Sequence, residues 1–473
     1  MLKGRRSFLS SSLATLPLVG ASASPALAAE PEPQSLEKRL NDEFDRMEIA
    51  DTHEHLLDEK ERYAQPIDFF NLIGHYTLGD AVSAGMPLDA VKLMENKNAS
   101  DLERWKAIEP YWKFSQFTGY SQCLRIAIRD IYGFDEISAA NIGPINDAIR
   151  ARNKPGLYHN IFKERARIRF WVQDDRAPKP TPPDRDYFVT VREFDRFAIP
   201  QTPADIHRLE KLNGVSITSL DGLKQALQKN FQEAVDIGIV GIKSIIAYSR
   251  DIFFREIDEA SASHDFDSLM RGDRPLPQGF HTLIDRPFRN LEDYMFPQII
   301  QLVDAHHLPV QFHTGMNSTN FIANADPTHL TNLFFLYPQV RWDIFHIGYP
   351  FQEKLSVLAK CFANVFVDFS WMHIVSPDVC RRAMSEYLET VPCNKIFGFG
   401  GDFIYAELTY AHAKMARRAM AQVLAEKVKG GYCTEVEAVE LGRRILYENP
   451  AALFFEKRTS PPPELMPFVP LAA

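Results

Sequence analysis

Eight short apolar or β-branched runs, each breaking into polar residues, constrain this chain more than any other feature. They fall at 47–55, 168–174, 187–194, 239–247, 308–314, 341–347, 364–370 and 395–402. Between several of them lie stretches with apolar residues at helical spacing, at 222–236, 292–305, 327–336 and 376–389, and 408–428 and 435–455 read as a helical tail. Near-continuous apolar strands that alternate with helices imply a parallel α/β sheet covered by helices, because only a sheet buried on both faces accepts such strands. Eight of them fit a closed (β/α)8 TIM barrel. The alternative, an open doubly wound sheet, calls for a glycine-rich phosphate loop, and neither G-x-G-x-x-G nor G-x-x-x-x-G-K-[ST] occurs.

A barrel of this kind needs about 250 residues, and the chain has 473. The surplus sits mainly in 56–167, after the first strand, and 249–307, after the fourth. Both would emerge at the C-terminal face, where segments of that length usually serve as lids or pocket walls. The composition, 45% hydrophobic and 24% charged, excludes wholesale disorder and collagen-like sequence. Five cysteines without a C-x-x-C pair give neither a disulfide scaffold nor a zinc knuckle. A net charge of −9 with no basic run argues against a nucleic-acid partner. The partner called for is a small molecule, and a homo-oligomer is compatible with this composition.

The first 28 residues read as an export signal. Arg5 and Arg6 precede a moderately apolar stretch that reaches about Val19 and is followed by Ala26-Leu27-Ala28, which points to the twin-arginine route and a periplasmic location. The apolar stretch is shorter than the ~20 residues a spanning helix needs, so stable membrane insertion is not expected. Cleavage after Ala28 leaves 445 residues, 29–473, with a net charge of −12 and a single barrel as the expected domain.

The strand ends carry the chemistry. His53 and His55 close the first strand, and an i,i+2 pair on a strand projects to one face. His313 ends the fifth strand, His346 the sixth and Asp402 the eighth. Converging imidazoles and a carboxylate at a barrel mouth form a ready site for a divalent metal. The remaining histidines 75, 159, 207, 264, 281, 306, 307, 329 and 412 read as surface or packing residues. Lys243 lies within the apolar fourth strand, where an unpaired ammonium is costly. Pairing with a carboxylate such as Asp402, binding of an anionic substrate group, and carboxylation to bridge two metals all account for it. Tyr248, Arg250, Trp371 and His373 follow strands four and seven near the same mouth, and Arg250 could clamp a substrate carboxylate.

This set of residues resembles the amidohydrolase superfamily. The similarity is strongest to its amidohydrolase-related branch of metal-dependent hydrolases, which includes the amidohydrolase-like part of nodulin/glutamine-synthetase fusions. LPVQFHTG, DPTHLTNLFFLYPQVRWDIFHIGYPF, NVFVDFSW, KIFGFGGDFIYAE and the closing RRILYENPAALF carry it, together with DTHEH. DTHEHL and the helical tail are also similar to uronate isomerases. The resemblance implies a metal, most often Zn²⁺, held by His53, His55 and Asp402 with His313 as fourth ligand. His346 would face the reacting water or the substrate, and a carboxylated Lys243 would bridge the ions if two are bound. It implies hydrolysis of a C–N or C–O bond in a small, carboxylate-bearing molecule, with Asp402 as general base and then acid and His346 steadying the oxyanion. Tyr248, Arg250 and Trp371 are the expected substrate contacts. Uronate isomerisation, metal-dependent decarboxylation and a non-catalytic, exported ligand-binding barrel are the alternatives.

Overall fold

β-branched and aromatic residues dominate the strands of the barrel, which suits a pleated surface buried on both sides. The computed structural model describes residues 34–177, 180–277, 279, 284–317 and 321–455, so the expected signal 1–28 and His281 lie outside the described residues. The chain divides into Met1–Ser35 and Leu36–Ala473, and the barrel belongs to the second unit. Its strands are β1 (Ile49–Glu54), β2 (Ile168–Asp175), β3 (Phe188–Glu193), β4 (Gly241–Ser244), β5 (Pro309–Phe312), β6 (Arg341–Ile344), β7 (Val365–Asp368) and β8 (Ile396–Phe397). Each pairs in parallel with the next, in sequence order.

The ring closes through backbone rather than through an extended β8. Thr52 N–H donates to Phe399 O at 3.1 Å, Asp402 N–H to His53 O at 2.8 Å and His55 N–H to Phe403 O at 3.1 Å. Alternation along the strands sends Phe170 and Val172 of β2 and Val189 and Val191 of β3 inward, where they meet Ala50, Phe397, Leu453 and Phe454. Helices cover the outside. The helix Leu220–Ile237 shows how local signals set their limits. Ser219 accepts the Gly222 N–H at its start, and Gly238, at φ 102°, ends it in a conformation that only glycine takes without strain.

All eight expected strands are present, and they differ from expectation in length. β4 to β7 have four residues each and β8 has two. His313, His346 and Asp402 therefore sit in the loops that leave the strands, because the backbone turns toward the mouth before it reaches them. The expected helix 327–336 is a 3₁₀ turn, Pro327–Leu330, followed by a short helix, Thr331–Leu336. The tail 435–455 is a helix, Glu435–Arg443, continued by π-helical turns. Of 249–307, Arg289–Ala305 is the helix that leads into β5, so the surplus there is smaller than the sequence suggested. Among the described residues no helix is long and apolar enough to cross a membrane.

The segment 56–167 is helical and clamped to the barrel by a buried charge pair. Arg62 bonds Glu407, and Tyr132 OH donates to the same carboxylate at 2.6 Å. Both ionic partners are essentially unexposed. Removing one member of such a pair leaves an uncompensated buried charge. Arg62→Met is expected to destabilise the fold by about 3 kcal/mol, read as a lower midpoint in urea unfolding. An unchanged midpoint would show that the pair contributes nothing.

Candidate metal centre

β1 delivers His53, buried, and the residue just past its end is His55, half-buried, on the same side of the barrel mouth. The same bonds that close the ring set them opposite Asp402. Asp402 has φ 58°, His346 φ 61° and Trp371 φ 68°, all left-handed for residues that carry a Cβ. Such conformations cost on the order of 1–3 kcal/mol each and gather at functional sites. Gly400 and Gly401 bring the loop close in: a Cβ on Gly401 would stand 1.9 Å from Glu54 Oε1.

The hydrogen bonds assign the protons on the rings. Gln311 donates its amide to Thr52 O at 2.8 Å, which turns its Oε1 toward His53 Nδ1 at 3.3 Å. His346 Nδ1 donates to Ser370 O at 2.8 Å and His313 Nε2 to Met316 O at 3.0 Å. The opposite nitrogens, His53 Nε2, His346 Nε2 and His313 Nδ1, then present lone pairs. His346 Nε2 and His313 Nδ1 face each other at 3.1 Å, and His53 Nε2 and His55 Nε2 at 3.3 Å. Asp402 stands between the pairs: its Oδ1 is 3.1 Å from His55 Nε2 and its Oδ2 is 3.8 Å from His346 Nε2. Between His346 Nε2 and His313 Nδ1 lone pair faces lone pair, which repels unless a cation lies between, and metal-bound histidines characteristically donate their other N–H to a carbonyl or carboxylate. The donor set therefore fits a divalent ion.

Burial favours the neutral imidazole, lowering the pKa of His53 and His313 well below the usual histidine value and that of His346 to about 4. Burial alone would raise the Asp402 carboxyl. The His55 hydrogen bond and the surrounding imidazoles overcome this and hold it well below the usual carboxylate range.

Asp174 was not anticipated from sequence. It lies in β2 on the inward-facing register, and its Oδ2 is 3.5 Å from His55 Nδ1. His53, His55 and Asp174 can each offer a ligand atom within 4.8 Å of the others. Its signal was the acidic end of IRFWVQDD, an apolar run that stops on a carboxylate as the eighth does.

Lys243 lies beneath the cluster, its Nζ buried without a hydrogen-bond partner and 3.4 Å from the centre of the Phe345 ring. Of the three explanations that the sequence left open for Lys243, the pairing with Asp402 is not formed. Burial lowers Lys243 to about 8 against the pull of Asp402 and Asp174. Tyr248 packs its ring 4.5 Å from His313, and Trp371 lies edge-on to His346 at 5.1 Å, so both border the cluster as expected. His373 is buried and bound to Gly398 O.

Arg250 is a correction. It is completely buried and donates to Glu292, Asp293, Asp251 O and Phe253 O, so its charge stabilises the segment after β4 and is not presented to a substrate. His346, with Nδ1 donating to Ser370 O, presents a lone pair at Nε2. Arg176, half-exposed, bonds Asp174 at 2.7 Å and brings a cation to the mouth. Beside it opens a cavity of about 850 Å³, lined by Leu56, Trp171, Tyr187 and Phe188 among others.

A parallel eight-stranded barrel with imidazoles and carboxylates converging at its C-terminal mouth is the arrangement from which metal-dependent barrel enzymes build their sites. Residues 266–455 match the family model described as Amidohydrolase. Protein fluG of Emericella nidulans is 25% identical over 258 residues, covering 52% of this chain and 29% of that protein, so the chain spans under a third of that relative. Two solved structures share the fold, both at 18% identity. One is glucuronate isomerase from Caulobacter crescentus, with a TM-score of 0.73 over 91% of this chain and 96% of that one. The other is uronate isomerase from Thermotoga maritima, with 0.72 over 89% and 97%. Over residues 266–455 the chain is thus similar to the amidohydrolase family, a similarity that covers less than half of its length.

The buried histidines behind the cluster make stability depend on pH. Burial lowers His373 to about 4 and His412 to about 3. Below the unfolded histidine value of about 6.5 the unfolded chain takes up protons that the folded chain refuses, so stability falls as the pH drops. Each such histidine contributes up to about 1.4 kcal/mol per pH unit in that window, and the loss ends below its folded value. Urea unfolding midpoints are expected to fall between pH 6.5 and 4 and to fall less steeply in His373→Gln. Equal slopes for the two proteins would rule this out.

Proposed function

We propose that the protein is a metal-dependent hydrolase that cleaves a C–N or C–O bond in a small, carboxylate-bearing molecule, with Zn²⁺ as its ion. The observation that carries the reading is the convergence of unprotonated nitrogens of His53, His313 and His346, together with His55, on the ionised Asp402. His53, His55, Asp402 and His313 would hold the ion, with His346 and Asp174 within reach of the same space. A divalent cation held there supplies a Lewis acid that acidifies water and polarises a carbonyl.

The rest is the work of the chain. Asp402, ionised and placed among the imidazoles, takes a proton from the attacking water and passes it to the leaving group. His346 accepts and orients through Nε2. Lys243, protonated at neutral pH and without a partner, stabilises negative charge that develops above it. Arg176 takes over the part first given to Arg250 and receives the substrate carboxylate, while the cavity beside it accommodates the remainder. We further propose export to the periplasm, on the strength of Arg5-Arg6 and Ala26-Leu27-Ala28.

A second reading, aldose–ketose isomerisation of a uronate, is supported by the shared fold with the two isomerases over nearly their whole lengths. The test is a panel of N-acyl amino acids, carboxylate-bearing lactones and uronates incubated with zinc-loaded protein and followed by NMR. Hydrolysis of an amide or ester is expected, falling at least about 100-fold in Asp402→Asn. Conversion of a uronate to its keto isomer without hydrolysis would replace this reading with the second.

A further inference from the structure

The left-handed backbone at Asp402 is held more completely than barrel closure requires. The peptide before it is fixed at both ends: Asp402 N–H donates to His53 O at 2.8 Å, and Gly401 O accepts from His412 Nδ1 at 3.1 Å. The peptide after it is also fixed at both ends. Phe403 N–H donates to Glu54 Oε2 at 2.8 Å, and Asp402 O accepts from Tyr76 OH at 2.8 Å. Three of these partners, His53, Glu54 and His412, belong to β1 or to the helix that follows β8. Tyr76 alone comes from the long helical segment between β1 and β2.

Its ring is fixed in turn. It stacks on His75 at 4.1 Å and on Tyr120 at 5.0 Å, and Tyr120 stacks on Trp371 at 6.2 Å, which meets His346 edge-on. Asp402 follows two glycines and carries a Cβ in a conformation that favours glycine. Without a donor on its carbonyl, the peptide after it is free at one end to rotate toward an ordinary φ and carry the carboxylate away from the imidazoles.

We propose that Tyr76 is a positioning residue for Asp402. By fixing the peptide after Asp402 it holds the carboxylate toward the histidines, and it makes retention of the metal depend on the 56–167 segment. This rests on the metal-binding reading of the site and goes beyond it in giving that segment a part in holding the ion.

The test needs no substrate. Zinc-loaded wild type, Tyr76→Phe and a control from the same segment, Tyr111→Phe, are each mixed with excess chelator, and zinc release is followed in time. Release from Tyr76→Phe is expected to be about tenfold faster than from wild type, the usual size of an outer-shell effect on a metal site, with Tyr111→Phe at the wild-type rate. Thermal midpoints of the metal-free proteins are expected to agree, which separates positioning from general destabilisation. Glu54→Ala, which removes the acceptor at the other end of the same peptide, should shift release in the same direction and serves if Tyr76→Phe does not fold. Equal release rates for wild type and Tyr76→Phe overturn the positioning role alone. Failure of the wild type to take up any divalent ion overturns the reading of the site and this proposal with it.

Discussion

One stretch of backbone, Phe399 to Phe403, both closes the barrel and sets the site. β8 is too short to complete the ring by ordinary ladder pairing, so closure falls to three bonds between this stretch and β1. Those bonds bring His53 and His55 opposite Asp402. Gly400 and Gly401 allow the approach, since a side chain at either would collide with Thr52, Ser370 or Glu54. The fold cannot close in this way without bringing His53 and His55 to Asp402, and this ties the closure of the barrel to the candidate site.

Around that stretch the polar groups are arranged at some cost. Asp51, Glu54, Asp343 and Asp368 are buried below the mouth, and burial raises each carboxyl. Asp51 and Glu54 accept backbone N–H groups of the closing loop, and Asp343 and Asp368 lie close to Lys243. Above these acids the unprotonated nitrogens of His313 and His346 give the mouth a preference for added positive charge. The ammonium of Lys243, beneath them, meets that preference only in part.

Much of the fold was legible along the chain because its signals are local. Apolar runs broken by polar residues marked eight strands, and helical spacing marked the helices between them. Each strand and helix buries its own pattern, so the pattern survives in one dimension. His53, His55, His313, His346 and Asp402 were legible for the same reason: each is a metal-capable side chain where an apolar run ends. Asp174 carried that signal and was overlooked, because an acid pair at a strand end also reads as ordinary solvated polarity. Arg250 was misread for the complementary reason. Its partners Glu292 and Asp293 lie on a distant helix, and nothing near Arg250 in the chain announces them.

The pattern of residues along the chain was enough for the parallel barrel, the order of its strands and most of the ligand-type side chains, because period and strand ends are properties of neighbours. The tertiary structure alone decided which nitrogens carry protons, that Lys243 has no partner, that Arg250 is spent on an internal charge cluster and that Tyr76 reaches Asp402 across 326 residues. These depend on the direction and burial of groups brought together from distant segments. A hydrogen-bond donor takes its meaning from what faces it, and only folding determines that.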